Sequence, residues 1–144
     1  MATLTESERK AVVAEAMSWI GTPFHHAGRL KGIGVDCAMF PLAVYSAVGI
    51  IPPIDTVEPY PVDWHLHRSE ERYLETVLRY ADETDAPQTG DFVLFQFGRC
   101  FSHGAIITDY PNIIHSYFRQ GVIEGSLNLD PLVTRPCKTF AIRR

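Results

Sequence analysis
The chain has 144 residues, 46% hydrophobic and 21% charged, which excludes a disordered segment and supplies enough apolar mass for one domain with its own core. A formal net charge of −4 lacks the basic footprint of a nucleic-acid binder and suits anionic membranes poorly, so neither is expected as a partner. Three cysteines, Cys37, Cys100 and Cys137, are too few and odd in number for a disulfide framework.

The N-terminal MATLTESERK has no apolar signal-peptide core, and synthesis in the cytoplasm is expected. Thr5-Glu6-Ser7-Glu8 reads as a capping box. Val12, Val13, Ala16, Met17 and Ile20 follow at helical spacing, and Gly21 and Pro23 end the helix. Residues 24–35 form a Gly-rich loop. Asp36 is placed to cap a second helix running from Cys37 to about Val48. Pro41 is awkward there, at the fifth helical position, one past the free donors of the first turn. The stretch Pro41–Pro53 is apolar but too short and too broken to span a bilayer. Residues 49–68 read as an ordered loop or lid. Ser69 caps a third helix carrying Tyr73, Leu74, Val77, Leu78 and Ala81. Strand-like runs then follow at 91–97, 103–108, 112–117, 121–125 and 138–142, with turn residues between them. Helices first and strands after, with short connections, argue for an α+β fold with an antiparallel sheet, in a single domain over 1–144.

Cysteine attacks as a thiolate, and a helix N-terminus favours the anion. Cys37 occupies such a terminus. A histidine within reach must take and return the proton, and a third polar group must hold its ring. His103 opens one strand and His115 lies on the next. A three-residue turn over Asp109, Tyr110 and Pro111 would pair Thr108 with Asn112 and put both histidines on one face as diagonal neighbours. A two-residue turn would put them on opposite faces. Cys100 and Cys137 have no such context and read as structural. His25-His26 and His65-Leu66-His67 lack an acidic partner at a metallopeptidase spacing, so no metal site is assigned. Arg29 and Lys31 read as solvated.

Residues 18–44, SWIGTPFHHAGRLKGIGVDCAMFPLAV, resemble the N-terminal signature of the NlpC family of papain-like cell-wall peptidases, in particular its phage-encoded branch. There a helix ends in W-[LI]-G-T-P-[YF], a Gly-rich loop follows, and D-C heads the next helix. GDFVLF at 90–95, SHGAIIT at 102–108 and IIHSYFRQGVIEG at 113–125 resemble its later strands. The resemblance implies a papain-like fold with the nucleophile at a helix N-terminus packed on an antiparallel sheet. It implies Cys37 as nucleophile, His103 as base and His115 as the orienting group. It also implies hydrolysis of peptidoglycan stem peptides without a cofactor, in a phage tail-tip protein bound to other tail proteins.

The chain departs from the family pattern in reading D-C-A-M where D-C-S-G is usual, in carrying Phe24 where tyrosine is common, and in Pro41. Met39 and Phe24 are therefore expected to shape the substrate pocket. Asp36 either caps the helix alone or also faces a substrate amine. Two other readings use the same residues: a structural tail component with a degenerate peptidase domain, and a zinc site built from Cys37, His103 and His115.

Overall fold
The computed structural model describes residues 3–52 and 72–143. In chain order these give α1 (Glu6–Ser18), β1 (Arg29–Leu30), β2 (Gly34–Val35), α2 (Met39–Ala47), α3 (Arg72–Leu78), β3 (Ala81–Glu83), β4 (Phe92–Phe97), β5 (Cys100–Ile107), β6 (Asn112–Tyr117), β7 (Gly121–Ser126) and β8 (Cys137–Ile142). Strands β3 to β8 form one antiparallel sheet in the order β3-β8-β4-β5-β6-β7. This is the expected α+β layout. The expected cap at Ser69, the His65/His67 pair and most of the 49–68 lid lie outside the described residues.

The capping box forms as read: the Thr5 amide donates to Glu8 Oε1 at 2.8 Å and the Glu8 amide donates to Thr5 Oγ1 at 3.1 Å. The buried face of α1 differs from expectation. Val12, Ala16 and Trp19 are buried, but Met17 and Ile20 are exposed and the fourth buried position is Arg9. An ion pair sets this orientation. Arg9 Nη1 donates to Asp91 Oδ1 at 2.7 Å, and both side chains are almost fully enclosed. The helix rests directly on Gly90, where an added Cβ would lie 3.3 Å from the Arg9 Cα.

Helix α2 begins at Met39, two residues later than expected, with Cys37 and Ala38 in the preceding turn. Pro41 then sits within the first helical turn, where the missing N–H costs nothing. It is no longer awkward. It packs on Gly104 of β5, where a Cβ would lie 3.0 Å from Pro41 Cγ and 2.8 Å from the Phe92 ring. Helix α2 approaches the sheet this closely only because position 104 has no side chain. Ala81, expected on the third helix, instead opens β3 and pairs with Ile142.

The sheet carries a core on each face. Phe92, Leu94, Ile106, Ile114, Val122 and Phe140 pack toward the helices. Val93, Phe95, Ala105, Ile107 and Ile113 form the other core, closed by Leu132 from the connection between β7 and β8. Among the described residues, no helix is long and apolar enough to cross a membrane.

Candidate active site
The nucleophile candidate is positioned by its neighbour Asp36. Asp36 is buried, and its Oδ1 accepts from the amides of Ala38 at 3.1 Å and Met39 at 2.8 Å. Its Oδ2 accepts from the Ala27 amide at 2.7 Å, tying down a residue with a φ of 59°. The carboxylate thus caps α2 and clamps the Gly-rich loop at once, which is the capping reading of Asp36. The same loop carries Phe24, bridged to Val35 and edge-on to Phe118 with ring centroids 5.4 Å apart. Met39 is buried in the helix-side core with 3% of its surface accessible. It offers little to a ligand, in contrast to the pocket wall expected of it.

Tyr73 of α3 donates its hydroxyl to the Ala38 carbonyl at 2.8 Å, and Ser116 of β6 donates to the Val35 carbonyl at 2.8 Å. The turn holding Cys37 is therefore held by a helix on one side and by the histidine-bearing sheet on the other. The Cys37 thiol lies 3.8 Å from the Ser102 carbonyl. Ser102 is the extra residue of a bulge: Phe95 pairs with His103 but Gln96 pairs with Phe101. Bulges re-aim strands beside functional sites, and this one presents its carbonyl to the thiol. His103, expected to open its strand, lies within β5, just past the bulge.

The β5–β6 register pairs Ile106 with Ile114 and Ile107 with Ile113, and the Thr108 amide donates to the Asn112 carbonyl at 3.1 Å. His103 and His115 consequently share a face as diagonal neighbours, on the side away from the helices. Their ring centroids are 5.0 Å apart, and His103 Nε2 and His115 Nδ1 are 2.7 Å apart, hydrogen-bonded. Phe97 and Tyr117 enclose His103, with centroids at 4.8 and 5.7 Å. Burial holds His115 down at about 4, so its ring is neutral near pH 7. Gly125 on β7 makes room for that ring, since a Cβ there would lie 3.2 Å from His115 Nε2.

The thiol departs from expectation. Burial pushes Cys37 up, the Asp36 charge pushes the same way, and the backbone amides of Cys37 and Ala38 pull back less. The expected lowering by a helix terminus is overridden first by burial and then by the Asp36 carboxylate next to the sulfur. At rest the group is a thiol.

Among the described residues, no group of three or more His, Cys, Asp and Glu could hold a metal ion, and Cys37, His103 and His115 are not brought together as ligands. Lys31, read as solvated, pairs with Glu15 at 2.8 Å and lies over the Trp19 ring, pinning the β1–β2 hairpin to α1. The sequence reading missed Ser102, Ser116 and Gly125. The second glycine of GVIEG was a usable signal, because a glycine inside a strand marks close approach. Nothing local marks Ser116, whose partner is 81 residues away.

The chain matches the NlpC/P60 family model over residues 21–138, a span holding every candidate residue above, and it belongs to that family. No curated protein matches it. Among solved structures it is similar to the NlpC/p60 domain of the peptidoglycan hydrolase SagA: TM-score 0.61, 22% identity, 94% of this chain and 98% of that one. It is also similar to an NlpC/P60 family protein from Bacillus cereus, with TM-score 0.60, 22% identity and 99% of this chain covered. A lipoprotein-like NLP/P60 family protein from Staphylococcus aureus matches with TM-score 0.67, 17% identity and 99% of this chain covered. The chain spans only 41% and 44% of those last two. At these identities the likeness is one of fold.

Proposed function
We propose that the chain is a cysteine endopeptidase that hydrolyses peptidoglycan stem peptides through Cys37, His103 and His115. Family membership supports the substrate class, since SagA is a peptidoglycan hydrolase. One observation carries the catalytic reading. His103 Nε2 is bonded to His115 Nδ1 at 2.7 Å, on the strand whose Ser102 carbonyl meets the Cys37 thiol.

A neutral His115 accepting at Nδ1 fixes the His103 proton on Nε2 and leaves Nδ1 as the basic nitrogen. Because Cys37 rests as a thiol, its proton moves to His103 Nδ1 as Sγ attacks the scissile carbonyl carbon, rather than beforehand. The Ala38 and Met39 amides are committed to Asp36, so the Cys37 amide is assigned to the oxyanion. The imidazolium returns its proton to the leaving amine, which gives a thioester on Cys37. Water, deprotonated by His103, then attacks the thioester and restores the thiol. No cofactor enters. Resemblance of residues 18–44 to the phage-encoded branch supports placing the protein in a phage tail or phage-like particle. It would act there in the cell envelope beside other tail proteins.

The raised thiol favours a second reading, a structural tail component with a degenerate peptidase domain. Release of peptides from purified peptidoglycan separates the two. The peptidase reading expects release by the native protein, a loss of about 10³-fold or more in Cys37→Ala and His103→Ala, and about 10²-fold in His115→Ala. Equal, background release by all four proteins would leave the structural reading standing.

A further inference from the structure
Ser116 of β6 is a polar residue in an apolar place. It lies on the helix-side face of the sheet, beside Ile114 and opposite Val122, with none of its surface accessible. A hydroxyl in such a core costs stability unless it is bonded. Its bond goes to the Val35 carbonyl at 2.8 Å. Val35 is fully buried too and immediately precedes Asp36 and Cys37. Its amide donates to the Pro23 carbonyl at 3.0 Å, and its carbonyl also accepts from the His25 amide at 3.3 Å. On the facing strand, the Val122 carbonyl accepts from the Gly21 amide at 3.1 Å and the Val122 amide donates to the Thr22 carbonyl at 2.9 Å. The β6–β7 hairpin thus meets the segment leading to Cys37 along one rung, and Ser116 supplies a side-chain bond at the end nearest the thiol.

The consequence is a closed circuit through the proposed catalytic set. From the Cys37 thiol it runs 3.8 Å to the Ser102 carbonyl, along the chain to His103, and across the 2.7 Å bond to His115. It continues along the chain to Ser116, across the bond to Val35, and back through Asp36 to Cys37. Of the three non-covalent joins, two are made by the proposed catalytic side chains themselves, and the third belongs to Ser116. We propose that Ser116 is a positioning residue, whose hydroxyl sets the distance at which Cys37 is presented to His103. The inference rests on the peptidase reading for what this alignment serves. Full burial keeps Ser116 away from substrate, so it acts through Val35 and Cys37. Without its bond the Val35 carbonyl keeps the His25 amide, so the fold survives while the turn gains freedom. A misplacement of about 1 Å between reacting groups costs roughly 10²-fold in rate.

Two measurements on Ser116 variants test this. The first is turnover of stem peptides. Ser116→Ala is expected to lose about 10- to 100-fold in kcat, with KM changed by less than about twofold. Ser116→Thr and Ser116→Val share a shape and differ only in the hydroxyl, so Ser116→Thr is expected to exceed Ser116→Val in kcat by about tenfold. The second needs no turnover. Alkylation of Cys37 by iodoacetamide at pH 9 reads how well His103 takes the thiol proton. Ser116→Ala is expected to slow it about tenfold in the otherwise native protein, and by less than about twofold when combined with His103→Ala. An unchanged kcat in Ser116→Ala, Ser116→Thr no faster than Ser116→Val, or the same slowing of alkylation with and without His103 would each overturn the positioning role. If the native protein cleaves no stem peptide, the peptidase reading fails and the alkylation cycle alone decides the role of Ser116. If peptides are cleaved and the cycle shows no coupling, the peptidase reading stands and the positioning role fails.

Discussion
The proposed nucleophile is Cys37, and its surroundings work against a resting thiolate. Burial and Asp36 both disfavour the anion, and the helix terminus that would favour it begins two residues too late. Alkylation of Cys37 by a neutral electrophile is therefore expected to be slow at pH 7 and to accelerate only above the ordinary thiol range. Rapid alkylation at pH 6–7, measured by mass spectrometry, would show a preformed ion pair instead. His115 makes a separate, thermodynamic prediction. The unfolded ring titrates at 6.5 and the folded one at about 4. Between those values the unfolded chain binds a proton that the folded chain does not. This stability is whole above pH 6.5 and is lost as the pH falls toward 4, by roughly 3 kcal/mol from this group. Urea unfolding at pH 7, 5 and 4 should show a steeper acid loss in the native protein than in His115→Asn. Parallel curves would contradict it.

At the scale of elements, the site is a meeting of α2 with β5, and its tolerance is small. Gly104 sits under Pro41 and against Phe92, and a methyl group there would meet the Phe92 ring at 2.8 Å. Gly104→Ala should lower stability by about 1–3 kcal/mol. It should also reduce kcat more than KM, because it lifts the Cys37 turn away from the bulge at Ser102. Denaturation and turnover on the same preparation check both parts, and an unchanged kcat would mean that helix and strand adjust independently. The bulge explains why β5 outran its expected start. Cys100, Phe101 and Ser102 carry no strand alternation that joins onto His103, since one of them is extra to the ladder.

Across the whole molecule, what could be read in the sequence was what local chemistry writes there. The capping box at Thr5, the Asp36 cap, the order of helices and strands, and the odd-with-odd register of His103 and His115 each follow from residues a few positions apart. What could not be read depends on distant partners. The face of α1 turned because Arg9 found Asp91, 82 residues on. Ala81 became a strand residue because β8 was there to pair with it. The direction of the Cys37 shift depended on its burial in the fold and on the Asp36 charge beside it. Phe97 and Arg135 meet only through the fold. The central claim is that Cys37 becomes acylated. The most direct measurement is mass spectrometry of the native protein, acid-quenched within its first turnovers on stem peptides. A peptidyl adduct on Cys37, lost in Cys37→Ala and much reduced in His103→Ala, is the predicted result. Stem peptides cleaved with the same products by Cys37→Ala, or no adduct and no cleavage by the native protein, would contradict it.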